Sequence, residues 1–125
     1  MGKFIIKATK TGFTFSLKAG NGEVIATGGE VYSSIDSCKN GVESVAKNAP
    51  IANLEDQTVE GYETEKHPKF EIYKDKAGEF RFRLKARNGE IIAASEGYVK
   101  KDGCKNGIES VRKNAVDAPV VLPEE

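Results

Sequence analysis

One twelve-residue segment occurs twice in this chain of 125 residues. The first copy, CKNGVESVAKNA, spans 38–49, and the second copy differs from it only where Val42 becomes Ile108 and Ala46 becomes Arg112. A duplicated segment marks an internal repeat, so the chain is built from two copies of one unit. Each half is near the size at which a single hydrophobic core becomes marginal, and we therefore expect both halves to pack as one domain.

The first two strands of each unit follow from the alternation of apolar and polar residues. Residues 3–8 and 13–19 alternate with a period of two and are rich in β-branched and aromatic side chains, which predicts two strands. A hairpin between them places Phe4 opposite Leu17, with the apolar residues of both strands on one face. The second unit repeats this pattern over residues 69–86, with one residue added in the connecting loop.

Each predicted hairpin is followed by an Asn-Gly dipeptide, at Asn21-Gly22 and at Asn88-Gly89. A two-residue type I′ turn requires positive φ at both central positions, and Asn-Gly is its usual sequence, so we predict this turn in both units. Carrying the register across the first turn predicts a third strand at 23–27, with Val24 and Ala26 facing the core.

The period then changes to that of an α-helix. Between residues 35 and 49 apolar residues recur at spacings of three and four, and the same pattern over 102–114 predicts a second helix. Ser33, three residues before Asp36, is the expected amino-terminal cap of the first helix, and Pro50 is its expected stop.

Each predicted helix contains an internal glycine, Gly41 in the first and Gly107 in the second. Glycine inside a helix costs about 1 kcal/mol relative to alanine, so its presence indicates a close approach of the backbone to a neighbouring element. We predict that the two helices cross or lie side by side near these glycines.

The units are joined by residues 51–68 and followed by a tail at 117–125. The joining segment is a linker or contains a short strand at Thr58–Tyr62, and its length inside a compact domain favours the strand. The sequence of the tail predicts a short edge strand and a frayed acidic end.

The predicted fold class is α+β, with two tandem β-β-β-α(-β) repeats packed about a pseudo-twofold axis. The expected organisation is one domain, residues 1–125, with repeats at 3–50 and 69–116.

The repeated motifs together resemble a known family. Each unit carries Phe-x-Phe-x-Leu-Lys-Ala-x-Asn-Gly-Glu-x-Ile-Ala, followed by Lys-Asn-Gly-Val/Ile-Glu-Ser-Val-x-Lys-Asn-Ala. Over nearly the whole chain this pattern is similar to the YegP-like family of small bacterial proteins. The resemblance implies a two-repeat α+β fold with intertwined halves, and it implies no catalytic residues and no established activity. The residues of the structural repeat motif are Asn21, Gly22, Cys38, Asn40, Gly41, Asn88, Gly89, Cys104, Asn106 and Gly107.

One strand of the second unit carries a row of basic side chains. This basic row consists of Arg81, Arg83, Lys85 and Arg87. The hairpin register places Tyr73 opposite Arg81, and a basic row beside an aromatic ring is typical of a surface that binds nucleic acid. The same register places Glu71 and Glu90 opposite two of the cations, which would neutralise part of the row. The row is therefore a candidate nucleic-acid or ligand face, with ion pairing inside the sheet as the favoured alternative.

The cysteines and the single histidine do not form a catalytic or metal-binding pattern. Cys38 and Cys104 fall on the apolar helix faces, where an unpaired cysteine packs as a small hydrophobe, and this interpretation is favoured over a redox pair. His67 precedes Pro68 in the joining segment, where we expect it to be exposed, and it has neither a companion zinc ligand nor a catalytic partner in the sequence.

The duplicated helix segment also repeats three polar residues on one side of the helix. These are Lys39, Asn40 and Glu43 in the first unit, and Lys105, Asn106 and Glu109 in the second. Their spacings of three and four are typical of surface pairs on a helix, and they are also compatible with a duplicated binding face. The structural interpretation is the favoured one.

Charge and hydropathy exclude several functional classes. The chain has 19 basic and 19 acidic residues, so no global field attracts nucleic acid or an anionic membrane. No apolar run is long enough to span a bilayer, and we expect a cytoplasmic protein. The leading hypothesis is a non-enzymatic, monomeric interaction module without cofactor or metal, whose partner is an unknown protein or small ligand. Weak nucleic-acid binding through the basic row is the second hypothesis.

Overall fold

The strands of both units join in one eight-stranded sheet, and both helices pack on the same face of that sheet. The computed structural model describes residues 2–123. Its elements are β1 (Lys3–Ala8), β2 (Phe13–Lys18), β3 (Val24–Gly28), α1 (Ile35–Asn48), β4 (Asn53–Asp56), β5 (Lys69–Lys74), β6 (Phe80–Lys85), β7 (Ile91–Ala94), α2 (Lys101–Ala115) and β8 (Val120–Val121). The mixed α+β class predicted from the sequence is confirmed.

The strand order across the sheet is β4-β5-β6-β7-β3-β2-β1-β8. The halves meet where β3 pairs antiparallel with β7, and the last strand of each unit lies beside the first strand of the other. Thus β4 is parallel to β5, and β8 is parallel to β1. This exchange of edge strands is the intertwining that the family resemblance implied.

The hairpin register predicted from the sequence is confirmed in both units. Phe4 lies opposite Leu17 in the first hairpin, and Phe70 lies opposite Leu84 in the second. All four side chains are buried, and they belong to one continuous core that both helices cover. The halves therefore bury their apolar faces in common. The register is repeated between the halves, while the pseudo-twofold axis itself stays a prediction.

The turn after each hairpin is not the predicted type I′ turn. Among the non-glycine residues from 2 to 123, only Asp117 has positive φ, so Asn21 and Asn88 lack the conformation that type I′ requires. The amide of Gly22 instead donates to the carbonyl of Ala19, and Gly22 itself has a φ of +87°. This is a three-residue loop with a bulge at a left-handed glycine.

A register shift between Leu17 and Lys18, separate from the bulge at Gly22, decides which residues of β3 face the core. Val24 pairs with Lys18 and Ala26 pairs with Leu17, so one extra residue is accommodated between the two pairs. Ala26 is buried as predicted, but Val24 turns to the opposite face and is 39 % exposed. The prediction for Val24 was wrong because it assumed a two-residue turn, which pairs Val24 with Ala19. The three-residue loop pairs Val24 with Lys18 instead and so places it on the open face.

The first helix begins one residue later than its predicted cap. Ser34, not Ser33, is the N-cap: its side chain accepts a hydrogen bond from the amide of Ser37, and the Ser37 side chain accepts one from the amide of Ser34. A serine at the third helical position thus replaces the usual Glu or Gln of a capping box. The second helix begins after Lys100, whose side chain makes no capping hydrogen bond.

The joining segment contains a strand, but not at the predicted position. Residues Asn53–Asp56 form β4, whereas Thr58–Tyr62 lies in turns that follow it. The length of the joining segment favoured a strand, and the strand lies earlier than predicted because β4 follows shortly after α1 and pairs with β5. The predicted edge strand in the tail is confirmed as β8, and the final two residues of the predicted acidic end lie outside the described residues.

The helix glycines lie against the sheet layer, not against the other helix. A Cβ atom on Gly41 would clash with the hydroxyl of Tyr32, whose ring stacks on Phe15 at 6.2 Å between centroids. A Cβ atom on Gly107 would lie 2.5 Å from the hydroxyl oxygen of Tyr98 and 3.0 Å from Phe82. The predicted close approach is confirmed, but the predicted helix–helix crossing at these glycines was wrong.

The close approach of Gly41 to Tyr32 predicts that a larger residue at position 41 lowers the stability of the protein. Gly41→Ala is expected to lower the free energy of unfolding by about 1–2 kcal/mol, because displacing the stacked rings outweighs the gain in helix propensity. The matched control is Gly103→Ala in α2, where the new Cβ would lie 3.3 Å from the Tyr98 ring. We expect this control to be neutral or stabilised by up to about 1 kcal/mol in urea unfolding. Equal stabilities of the two variants would contradict the assigned contact.

Candidate functional site

The basic row lies on the face of the sheet that the helices leave open. Tyr73 is opposite Arg81 and Glu71 is opposite Arg83, as the register predicted. The guanidinium of Arg83 lies 4.6 Å from the centre of the Tyr73 ring. Arg87 follows β6 and is exposed in the turn, so it does not join the other three on the strand.

Acidic residues on β5 and in the loop that follows it neutralise three of the four cations of the basic row. Arg83 Nε lies 2.6 Å from Glu71 Oε1, and Lys85 Nζ lies 3.3 Å from the same oxygen. Arg81 Nε lies 2.7 Å from Asp75 Oδ2, in a pair that the register alone did not predict. Within residues 2–123, no ion pair joins Glu90 to Arg87. Three of the four cations are therefore committed to acidic partners on β5 or in the loop that follows it.

A buried charge cluster extends the row towards the edge of the sheet. Lys69 Nζ lies 2.8 Å from Glu55 Oε1 and 3.3 Å from Glu71 Oε2, and these three residues are 2–4 % exposed. Gln57 Nε2 donates to Glu55 Oε2 at 2.6 Å, and the amide of Glu65 donates to Glu55 Oε1 at 2.8 Å. Residues 57–66 thus fold over this edge, and every buried side-chain nitrogen or oxygen atom among the described residues has a hydrogen-bond partner.

The cluster fixes the ionisation state of its members. Burial opposes ionisation of Glu55, but hydrogen bonds from Lys69, Gln57 and the Glu65 amide outweigh it and lower its pKa to about 2. Burial likewise opposes the charge on Lys69, and its hydrogen bonds to Glu55 and Glu71 outweigh this and raise its pKa. The pKa of Glu71 is also lowered, because hydrogen bonds from Arg83 and Lys69 exceed the cost of burial. All three residues are charged at neutral pH.

Sequence reasoning missed this cluster. Lys69 and Glu71 alternate with buried apolar residues on β5, and that pattern predicts solvent-facing polar residues. Their burial depends on β4 and residues 57–66, which the sequence did not place correctly. The equivalent of Lys69 in the first unit is Lys3, which is exposed.

The remaining candidate residues do not form a reactive centre. Both cysteines are buried and unpaired, and burial raises the pKa of each thiol, that of Cys104 to about 11. A buried thiol with a raised pKa is a poor nucleophile. His67 is exposed, with its ring 3.7 Å from the position of a Cβ on Gly89.

A groove on the helix side of the sheet gathers residues from both repeats. This inter-repeat groove has a volume of about 530 Å³ and lies between α1 and the chain segment that follows α2. Its floor is apolar and is formed by Phe4, Val42, Ala46, Ala115 and Ala118. Its rim carries Lys39, Glu43 and Asp117, and Val120 of β8 closes one end.

The inter-repeat groove contains two of the polar residues that the helix motif singled out. Lys39 and Glu43 are exposed on its rim, whereas Tyr73 and Arg81 lie on the opposite face of the sheet. The candidates predicted from the sequence therefore do not converge on one site. The contribution of the second repeat, through Ala115 and the tail, was not predicted, because the position of the tail depends on the strand exchange.

The described residues contain neither a metal-binding cluster nor a membrane-spanning helix. In the part of the chain that the structure describes, no group of three or more His, Cys, Asp or Glu residues has the arrangement of a metal site. No helix among residues 2–123 is long and apolar enough to cross a membrane.

One mixed sheet built from two β-β-β-α-β units with exchanged edge strands defines a class of two-repeat α+β proteins. The family model described as Domain of unknown function (DUF1508) matches residues 8–56 and again residues 75–121, which together make up more than half of the chain. The chain belongs to this family, and its two matches correspond to the two repeats.

Known proteins support the same assignment. The UPF0339 protein YegP of Yersinia pestis is 39 % identical over 121 residues, which cover 96 % of this chain and 94 % of that protein. A UPF0339 protein of Treponema denticola is 72 % identical over 53 residues, which are 42 % of this chain and 91 % of that protein. The resemblance to the YegP-like family is confirmed.

A solved structure shows the same fold. The solution NMR structure of YegP from E. coli, described as a protein of unknown function, matches with a TM-score of 0.79 at 32 % identity. The match covers 99 % of this chain and 95 % of that chain. A UPF0339 protein from Shewanella oneidensis matches with a TM-score of 0.78 at the same identity, over 97 % of this chain and 90 % of that chain.

Proposed function

We propose that the protein is a non-enzymatic interaction module of the cytoplasm, and that it binds a partner protein in the inter-repeat groove. The observation that carries the proposal is the composition of the groove: an apolar floor from both repeats, with exposed Lys39 and Glu43 on the rim. An apolar surface surrounded by charged residues is the usual arrangement of a protein-binding site. The groove exists only when both repeats are folded together.

The chemistry of the open sheet face weighs against catalysis. A general acid or base works best with a pKa near the operating pH, whereas Glu55 and Glu71 have lowered pKa values and are each held by hydrogen bonds from several partners. The buried thiols have raised pKa values, which weighs against nucleophilic chemistry. Two cysteines that remain unpaired are typical of a reducing compartment, which supports the cytoplasmic location.

The ion pairs of the basic row weigh against nucleic-acid binding. A phosphate group would have to displace Glu71 from Arg83 and Asp75 from Arg81. A protein that binds through phosphates loses affinity steeply as salt is added. In a gel-shift experiment we expect no retention of DNA or RNA at physiological salt. Salt-sensitive retention that disappears in the variant Arg81→Ala/Arg83→Ala would favour the alternative function.

Site-specific crosslinking tests the interaction proposal. A photoreactive phenylalanine analogue replaces Glu43 on the groove rim or, as a matched control, Glu63, an exposed residue outside the groove. We expect a discrete crosslinked protein from position 43 in intact cells and none from position 63. Ala46→Trp, which fills the groove floor, is expected to remove that product while the circular dichroism spectrum stays unchanged. The same products from both positions, or none from either, would reject the groove as the binding site.

A further inference from the structure

Two motifs of the repeat meet at a cavity that is separate from the inter-repeat groove. One motif is the Lys-Asn-Ala segment that ends α1, and the other is the Ala-x-Asn-Gly turn between β6 and β7. The turn cavity between them has a volume of about 450 Å³ and is lined by Lys47, Asn48, Ala86, Arg87 and Asn88. It shares no lining residue with the groove, and its volume is typical of a site for a small molecule.

Asn48 is the buried polar residue of the turn cavity. It is 7 % exposed, and its Nδ2 donates to the carbonyl of Ser44 at 2.8 Å. Because a carbonyl oxygen only accepts, this bond fixes the orientation of the amide. Oδ1 accepts no hydrogen bond within residues 2–123, and no enclosed side-chain oxygen in that range lacks a partner, so Oδ1 is accessible where Asn48 lines the cavity. The turn cavity therefore contains an acceptor that has no donor.

The opposite side of the turn cavity supplies donors. Asn88 Oδ1 accepts from the amide of Glu90 at 3.0 Å, so the Nδ2 of Asn88 is the part of the side chain that remains for a ligand. Arg87 is exposed beside it, and Lys47 is exposed in the last turn of α1. Among the described residues, neither cation belongs to an ion pair. Unlike the paired cations of β6, these two are available to an anion.

The other half of the molecule lacks this combination. At the matching location, between the end of α2 and the turn after β2, four of the five lining residues are identical, and Gly20 stands in place of Arg87. A Cβ atom on Gly2 would lie 2.5 Å from Asn114 Cβ and 2.8 Å from Asn114 Oδ1, so the backbone of Gly2 packs on that amide. Gly2 corresponds to Pro68, which does not line the turn cavity. The second half thus combines an open amide oxygen with an additional cation.

The two sides of the turn cavity attract different chemical groups. The carboxyl end of α1 is the negative end of the helix dipole, which favours a hydrogen-bond donor at Asn48. Two cations and the Asn88 amide favour an anion that can accept from three groups. A phosphate monoester has three terminal oxygens and a charge of about −1.5 to −2 at pH 7, so it satisfies all three donors and both positive charges. A carboxylate has two oxygens and one charge, and it matches the three donors less well.

We propose that the turn cavity binds a small phosphate monoester that carries a hydroxyl group close to its phosphate. The phosphate accepts from Lys47, Arg87 and the Nδ2 of Asn88, and the hydroxyl donates to the Oδ1 of Asn48. This is a second ligand site, and it does not depend on the interaction function proposed for the inter-repeat groove.

A titration followed by NMR tests the site. The probe is glycerol 3-phosphate, which has a phosphate monoester and two hydroxyl groups, added to the ¹⁵N-labelled full chain at about 150 mM salt to screen weak surface attraction. We expect saturable shifts of the amide signals of Asn48 and Asn88, with a dissociation constant on the order of 1 mM. Glycerol, which has no charge, should cause no such shifts. Shifts that do not saturate, or that affect Asn21 and Asn114 equally, would overturn the proposal.

Methyl phosphate tests the contact with Asn48. It keeps the phosphate monoester but has no hydroxyl group, so we expect it to bind about fivefold more weakly than glycerol 3-phosphate, the effect of one hydrogen bond. Inorganic phosphate should also bind more weakly than glycerol 3-phosphate. Equal affinities of the three compounds would show that the cavity attracts anions only, and they would reject the assigned hydroxyl contact.

Substitutions of the two cations test the phosphate contact. Lys47→Ala and Arg87→Gln should each weaken binding of glycerol 3-phosphate by about tenfold, because each removes a charged donor. The matched control is Lys113→Ala, which removes the equivalent exposed lysine at the end of α2 and should leave the affinity unchanged. Circular dichroism checks that all three variants keep the fold. The same loss in Lys47→Ala and Lys113→Ala would refute the site, because it would show general attraction to positive charge.

A further variant uses the difference between the repeats. Arg87→Gly introduces the residue that the first repeat has at this position, and Arg87 has a negative φ, so the backbone of the turn does not depend on its identity. We expect this variant to fold like the wild type and to lose binding to the same extent as Arg87→Gln. Binding that is unchanged in both variants would exclude Arg87 from the site and overturn the proposal.

Discussion

Lys69→Met is expected to lower the free energy of unfolding by about 3 kcal/mol, because it leaves Glu55 buried without its cation. Lys69 is 4 % exposed and contacts both Glu55 and Glu71. The loss falls at the lower end of the range for a broken buried ion pair, since Glu71 keeps Arg83 and Lys85 as partners. Urea unfolding followed by circular dichroism measures the change.

The repeat supplies a matched control for this substitution. Lys3 occupies the equivalent strand position in the first half and is exposed, so Lys3→Met should change stability by no more than about 0.5 kcal/mol. Combining Lys69→Met with Glu55→Gln removes the unpaired carboxylate, and it should recover part of the loss. A loss of the same size in Lys69→Met and Lys3→Met would mean that the buried cluster does not stabilise the fold.

Acid is expected to destabilise the protein through the same cluster. The pKa of Glu55 is about 2 in the folded protein and has an ordinary value of 4.5. Because the folded pKa is the lower one, the stabilisation is fully present above pH 4.5 and is lost as the pH falls through 2. This carboxylate alone contributes about 3 kcal/mol across that interval. The lowered pKa values of Glu71 and Asp56 act in the same direction.

Urea unfolding at a series of pH values between 6 and 2 measures this dependence. The Glu55→Gln variant serves as the control, because its amide does not titrate and the stability should fall less steeply with acid. Lys69 has a raised pKa, so its contribution is fully present below pH 10.5 and is lost only as the pH rises above that value. A wild-type stability that stays constant from pH 5 to pH 2 would contradict the lowered pKa of Glu55.

The sequence predicted those parts of the fold that depend on local periodicity. Alternation in β1 and β2 predicted that Phe4, Phe15 and Leu17 share one face, and the length of the loop between the strands then selected the register that pairs Phe4 with Leu17. The duplicated segment predicted both helices and a shared core. These features rest on apolar patterns that a chain of this length has to bury.

The sequence did not predict the features that depend on hydrogen-bonding detail or on distant parts of the chain. The choice of Ser34 over Ser33 as the cap depends on a side-chain hydrogen bond from Ser37, which has no periodic signal. The turn at Gly22 admits two loop lengths with the same Asn-Gly sequence. The burial of Lys69 needed the position of β4, and β4 was expected several residues later in the chain.

The inter-repeat groove was only partly predictable from the sequence. The sequence shows that Arg112 stands in the second repeat where the first has Ala46. The structure shows what Arg112 contacts: its guanidinium lies over the Phe70 ring and donates to the Ala49 carbonyl, and both residues are distant from it along the chain. A comparison of the two repeats with each other therefore marks the residue, and the three-dimensional contacts explain it.

The exchange of edge strands has a consequence for synthesis on the ribosome. Strand β1 receives its outer neighbour β8 only after residues 120–121 have left the exit tunnel, more than 100 residues later in the chain. Until then the growing polypeptide presents an unpaired edge at β1, which is available to other chains. The nascent chain in this state is therefore the form that most needs a chaperone.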